Sequence, residues 1–307
     1  TSILGGQAGT GIYKIAYTTG KGDLEVGKLD EFDEYVAGAT FRITGPNGYS
    51  RDVVTEAGKR TLIEDLEKGD YTVTEITAPT NMIINSTPVT VNVSSGNPAV
   101  AEIKNTYQRG STRLVKYDAD NRNATKGDAK IGGAEFSLCA AEDIKLGSHT
   151  IYTTNQVVKS GIVTATDGTT EAVTNLPIGK YYYIETKASE GFNINTNRVP
   201  VEVKYAGQTA TVAAEGYNEV PESPVYGNLY ITKKLGATDL DAEVLLPSVQ
   251  FELTLKSDPN QRYKTNISGP DGVCKVDRVP YGLYTCKEIL VNDKAYPVAD
   301  FDVNFTE

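Results

Sequence analysis

Tryptophan is absent from this chain of 307 residues, histidine and methionine occur once each, and cysteine only three times. A single histidine, His149, in a segment that reads as a loop, allows no His-containing triad and no metal cluster. The sequence therefore offers no cofactor or metal site and no enzyme with turnover. The run Asp118-Ala119-Asp120-Asn121 has the acidic flavour of a calcium loop but lacks its glycine and distal glutamate, and reads as a turn. Three cysteines are not a disulfide framework. No apolar run is long enough to span a bilayer. Basic residues are the minority, 30 Lys and Arg against 40 Asp and Glu, for a net charge of -10. That balance argues against nucleic acid or an anionic membrane as partner. What the chain has in plenty is tyrosine (19) and glycine (29), alongside threonine and valine. Strand formers and turn formers without catalytic residue types point to an all-β, extracellular, structural chain.

One phrase occurs three times. Gly69-Asp70-Tyr71-Thr72-Val73-Thr74-Glu75 recurs as Gly179-Lys180-Tyr181-Tyr182-Tyr183-Ile184-Glu185 and as Gly282-Leu283-Tyr284-Thr285-Cys286-Lys287-Glu288. Glycine, tyrosine and glutamate keep their spacing, and Leu66, Leu176 and Val279 stand three residues before the glycine. The glutamates lie 110 and 103 residues apart, so three related units of domain size follow one another. In a strand, Tyr71, Val73 and Glu75 share a face. If that face is the core, each unit buries a carboxylate, which is costly unless the group is neutral or partnered.

The pattern predicts alternating strands around these motifs. Residues 1–20 read as a lead-in containing a strand at 11–17, and the units span 21–108, 109–222 and 223–307. Gly38-Ala39-Thr40-Phe41 is matched by Gly133-Ala134-Glu135-Phe136 and loosely by Ser248-Val249-Gln250-Phe251. The second unit carries an insertion at 141–162, read as a surface loop or short helix. Glu219-Val220-Pro221-Glu222-Ser223-Pro224 reads as a linker. The third unit stops one strand short.

Each unit also places a lysine on its first strand: Lys28, Lys116 and Lys233. The first two end in an asparagine, Asn105 and Asn218. A lysine on an outer strand is ordinarily a solvated gatekeeper, but the threefold repetition argues for a shared role. In a water-poor core the lysine loses its proton more readily and the glutamic acid holds its own more tightly. A neutral amine beside a carboxamide is a nucleophile facing an electrophile. Glu75 or Glu185 could then carry protons to the departing ammonia, leaving an amide crosslink between strands remote in sequence. For Lys233 and Glu288 no acceptor is visible. Asn304 follows Glu288 too closely and has the wrong parity. Cys274 and Cys286 lie symmetrically about the turn at Pro280, open either to a disulfide or to buried free thiols, and Cys139 reads as an inert thiol. Tyr182 is strand packing unless it is exposed, when it belongs to a binding face.

The order Lys-x-Asp, Gly-Ala-x-Phe, Leu-x-x-Gly-x-Tyr-x-x-x-Glu-x-x-Ala-Pro and Asn resembles the Cna B-type (SpaA-like, prealbumin-like) domains of Gram-positive surface adhesins and sortase-assembled pilins. Lys28-Leu29-Asp30, Ala78-Pro79 and Asn105 complete it in the first unit. The second has Ala188-Ser189 in place of Ala-Pro, and the third lacks both Ala-Pro and the terminal Asn. The resemblance implies three tandem Ig-like, prealbumin-like β-sandwich domains with self-generated Lys–Asn isopeptide bonds. It also implies a cell wall-attached or pilus location and a role as shaft or stalk. The alternative is an adhesin module without crosslinks that presents the 141–162 insertion to a host matrix protein or glycan.

The Thr1 start reads as an excised piece of a longer, processed protein. Residues 11–18 resemble the last strand of a preceding sandwich. The neighbours expected are further domains of an array or, by strand addition, another copy joined head to tail.

Overall fold

The computed structural model describes residues 20–122, 124–235 and 244–306. The lead-in strand expected at 11–17 lies outside them. The described residues form three successive sets of antiparallel and mixed sheets whose inner faces make three separate cores.

The first set comprises β1 (Gly22–Leu29), β2 (Thr40–Thr44), β3 (Ser50–Val54), β4 (Thr61–Leu66), β5 (Gly69–Thr77), β6 (Val89–Val93) and β7 (Ala99–Lys104). They assemble as β4-β1-β7 facing β3-β2-β5-β6, with β1 and β7 running parallel. Period-2 burial explains the sandwich: Phe41, Ile43, Tyr71, Val73, Ala101 and Ile103 all point into one core.

The second set comprises β8 (Arg109–Asp118), β9 (Glu135–Ala140), β10 (Ile144–Leu146), β11 (His149–Tyr152), β12 (Val157–Val163), β13 (Val173–Pro177), β14 (Gly179–Lys187), β15 (Val199–Val203) and β16 (Gly216–Glu222). Its sheets run β13-β8-β16 and β12-β9-β14-β15. Two expectations are corrected here. The insertion is not helical: β10 and β11 pair as a hairpin that buries Ile144 in the core and buries Leu146 as well. Residues 219–222 of the stretch read as a linker are the end of β16, paired in parallel with β8 through Glu222 opposite Asp118. Pro221 is tolerated there because β16 is an edge strand, so its missing N–H breaks no second ladder. Tyr182 is buried and donates to Asn155 Oδ1, so it belongs to the packing and not to a binding face.

The third set comprises β17 (Tyr226–Thr232), β18 (Lys234–Leu235), β19 (Val244–Leu245), β20 (Gln250–Leu255), β21 (Arg262–Lys264), β22 (Val273–Pro280), β23 (Gly282–Leu290) and β24 (Phe301–Phe305). Here β21-β20-β23-β24 faces β17-β22, and among the described residues β17 lacks the parallel neighbour that β1 and β8 possess. By contact the chain divides into two compact units. One reaches Tyr107 and takes in Gly207–Thr211; the other takes Gln108–Ala206 and the chain from Val212 onward. Within the second unit the second and third sandwiches are bound together. Asp128 N donates to Tyr281 O at 2.9 Å, Gly127 N to Gln261 Oε1 at 2.9 Å, and Arg278 Nη2 pairs with Asp120 Oδ2 at 2.9 Å.

The threefold phrase has a local cause. Tyr71, Tyr181 and Tyr284 each turn the hydroxyl back to donate to the carbonyl four residues earlier, on Glu67, Pro177 and Pro280, at 2.8–3.0 Å. The chain can make that corner because the preceding glycines take φ of +145°, +156° and +148°. A Cβ on Gly69 would also stand 2.7 Å from Pro46 Cγ. Gly69→Ala is therefore expected to lower stability by about 1–3 kcal/mol in urea unfolding of the full chain. A loss below a few tenths would contradict this account of the motif.

The cysteines are also settled by the sheets. Cys274 sits on β22 and Cys286 on β23, strands of opposing sheets, and both are free and buried, so the disulfide reading is corrected. Burial pushes the Cys286 thiol up to about 12, and raises Cys274 as well, which leaves both unreactive.

Candidate functional site: a buried lysine–glutamate pair in each sandwich

The strand phase that buries Tyr71 and Val73 also buries Glu75, and the same alternation on β1 turns Lys28 inward. In the first sandwich Lys28 and Glu75 are each 1 % exposed and Asn105 is 3 % exposed. Lys28 Nζ lies 3.2 Å from Glu75 Oε1 and donates to Ile103 O at 3.1 Å. Asn105, just beyond β7, donates from Nδ2 to Glu75 Oε1 and Oε2 at 2.9 and 3.0 Å. One carboxylate oxygen thus touches both the amine and the carboxamide nitrogen. The Phe41 ring lies 6.0 Å from Nζ, and Asn105 Oδ1 is buried without a partner. Burial is the main influence on Lys28 and pulls its pKa down to about 8, against the opposing charge and hydrogen bond of Glu75.

This arrangement is suited to amide formation. A proton could pass from Lys28 to Glu75, the neutral Nζ attack Cγ of Asn105, and Glu75 return that proton to Nδ2 as the C–N bond breaks and ammonia leaves, then take the second proton that Nζ sheds. The leaving nitrogen is already hydrogen-bonded to the group that would protonate it.

The second sandwich repeats the pair but not the acceptor. Lys116 Nζ lies 3.3 Å from Glu185 Oε1, with the Phe192 ring 4.5 Å away. Asn218, the expected acceptor, is not brought to them. It sits on β16 opposite Leu114, donates to Pro200 O at 2.7 Å and accepts from Glu219 N at 2.8 Å. Two prolines follow Asn218, so the sequence alone suggests that the strand ends there. In the first sandwich Lys28 stands opposite Ile103, two residues before Asn105. In the second, Lys116 stands opposite Val220, two residues before Glu222. Asn218 is four residues short of that place, about 13 Å along a strand.

In the third sandwich Lys233 Nζ lies 2.9 Å from Glu288 Oε2 and reaches Tyr296 O at 3.4 Å, while Glu288 Oε1 is buried without a partner. Asn304 lies on the exposed face of β24, as its parity requires. Sequence reasoning missed a further constant. Each glutamate also accepts a backbone N–H from the residue ten further on: Asn85 to Glu75 at 2.7 Å, Asn195 to Glu185 at 2.6 Å and Val298 to Glu288 at 2.8 Å. A backbone donor leaves no side-chain signature to find.

Among the described residues no group of His, Cys, Asp and Glu is placed to hold a metal ion, and no helix is long and apolar enough to cross a membrane. A search of curated proteins found no match. Among solved structures the Bacillus anthracis TIE protein is similar at 26 % identity and a TM-score of 0.70. The match covers 94 % of this chain and 48 % of that one, so the chain spans about half its length. BcpA, the major pilin subunit of Bacillus cereus, matches at 15 % identity and a TM-score of 0.38, over 94 % of this chain and 96 % of that one. The streptococcal ancillary pilin matches at 17 % and 0.29, over 93 % and 96 %. The family model of the SpaA prealbumin-like fold domain matches residues 22–107 and again 110–218. With the two matches covering the first and second sandwiches, more than half of the chain, the chain belongs to the SpaA prealbumin-like fold domain family.

Proposed function

We propose that this chain is a structural segment of a bacterial surface protein, a pilus shaft or adhesin stalk, hardened by an autocatalytic isopeptide bond between Lys28 and Asn105. The observation that carries this reading is the sharing of Glu75 Oε1 by Lys28 Nζ and Asn105 Nδ2 inside a dry core. Family membership supports the surface role, since a repeated sandwich with no metal or cofactor cluster among its described residues is suited to spacing and bearing load. The bond forms once and consumes its own side chains, so the protein is not an enzyme with turnover.

The test is the mass of the intact chain with peptide mapping. The expected product of trypsin is fragment 22–42, uncut at Lys28, joined to fragment 105–109, with one ammonia missing. Glu75→Ala is expected to restore the separate fragments and the missing ammonia, since losing a positioned proton carrier costs about 10²–10⁴ in rate. Separate fragments from the unaltered chain would overturn the proposal.

A further inference from the structure

Glu222 occupies, in the second sandwich, the place that Asn105 occupies in the first. The parallel registers fix this: the acceptor position is two residues beyond the one facing the lysine. Glu222 and Lys116 are each 1 % exposed and Glu185 is 4 % exposed, so one amine and two carboxyls share a closed interior. The amine is held by Glu185 Oε1 at 3.3 Å, and Glu222 Oε1 accepts from Asn195 Nδ2 at 3.3 Å. Two carboxylates against one ammonium leave an unbalanced negative charge in a medium that penalises it. Burial, with Glu185 adding to it and Lys116 opposing it, pushes the Glu222 carboxyl up to about 7. Near neutral pH it is therefore commonly the uncharged acid, which unlike a carboxylate can be attacked by an amine.

We propose that Lys116 and Glu222 condense to an amide, making a second covalent tie whose acceptor is a glutamic acid. The inference rests on the crosslinking chemistry proposed for the first sandwich and extends it to a different acceptor and a different leaving group. Lys116 gives a proton to Glu185, and the neutral Nζ attacks Cδ of Glu222. The Nζ–Cδ bond forms, Glu185 returns a proton to the hydroxyl oxygen, the C–O bond breaks and water leaves. The second proton that Nζ sheds on becoming an amide passes to Glu185, so the Lys116 ammonium, the Glu185 carboxylate and the Glu222 acid become an amide, the Glu185 acid and water, with no oxidant or co-reactant. Condensation of an amine with an acid is slow in water, but here both groups are enclosed in one interior and feel each other's charge, and effective molarities of about 10⁵–10⁸ M are attainable for well-oriented intramolecular pairs. The product also removes two buried charges.

Tryptic mapping of the full chain tests this directly. The expected species is fragment 114–122, uncut at Lys116, joined to fragment 205–233, lighter than the sum by one water. The intact mass then falls short by one ammonia and one water together. Glu222→Ala is expected to abolish the water deficit and leave the ammonia deficit, and Glu222→Gln to exchange the water deficit for a second ammonia. An ammonia deficit alone in the unaltered chain overturns this proposal and leaves the Lys28–Asn105 bond standing. A water deficit alone does the reverse, and a full mass overturns both. Because the first measurement uses the unaltered chain, a variant that fails to fold cannot shelter the proposal.

Discussion

Asn105→Ala is expected to lower the unfolding temperature of the first sandwich by about 20 °C or more, read by calorimetry on the full chain. The proposed bond that it removes would close a loop of about 80 residues. By chain entropy that closure is worth about 4–5 kcal/mol, and a domain of this size shifts by about 4–8 °C per kcal/mol. The variant also leaves Glu75 without the hydrogen bonds from Asn105 Nδ2, which adds to the loss. Glu75→Gln separates the two causes, because it keeps the carboxamide in place and removes the proton carrier. If it blocks bond formation, its unfolding temperature should fall nearly as far. A drop of only a few degrees in a variant shown by mass to be uncrosslinked would refute the loop-closure account.

The second large effect is a dependence on pH that only the uncrosslinked protein shows. In Asn105→Ala, Lys28 remains a free amine with its folded value near 8, below the ordinary 10.5 of the unfolded chain. Between those values the folded state binds fewer protons than the unfolded one, so stability rises with pH. The rise is worth up to about 3 kcal/mol across that window, and is absent below pH 8, where Lys28 is charged in both states. In the parent carrying the proposed crosslink, Lys28 would be an amide and would not titrate. Subtracting the parent's urea-unfolding profile from the variant's, between pH 7 and 11, isolates the contribution. A flat difference, or one that falls with pH, would contradict the placement of Lys28 in a desolvated core.

Much of this site is legible in the sequence, and what is legible has a common cause. Glycine and tyrosine recur together because one corner geometry demands both, a backbone with positive φ and a hydroxyl reaching back four residues, and the glutamate holds the next inward position but one, facing the lysine. Period 2 then dictates that Glu75 faces the core with Tyr71 and Val73. Asn105 was found because Ala101, Ile103 and Asn105 keep one parity to the end of the first sandwich. Glu222 was hidden because Pro221 resembles a linker residue, and only the pairing with β8 reveals a strand there. Proline reports a missing donor, and on an edge strand that donor was not needed. The sequence leaves Cys274 and Cys286 open between a disulfide and free thiols for a related reason: symmetry about a turn suggests a hairpin, whereas the turn at Pro280 carries the chain from one sheet to the other. The insertion at 141–162 was ambiguous because its short apolar pairs fit a hairpin or one helical turn equally well.

The parallel pairing of β1 with β7 has a consequence for a chain under tension. A pull along the polypeptide enters the first sandwich at β1 and leaves past β7, and these strands lie side by side. With Lys28 joined to Asn105, the load crosses from one to the other through a covalent bond. The residues between them, about 250 Å of contour length at full extension, never feel it and cannot be drawn out. The sandwich then behaves as a fixed link of constant length, and whatever stretch the protein shows must come from segments outside the closed loop.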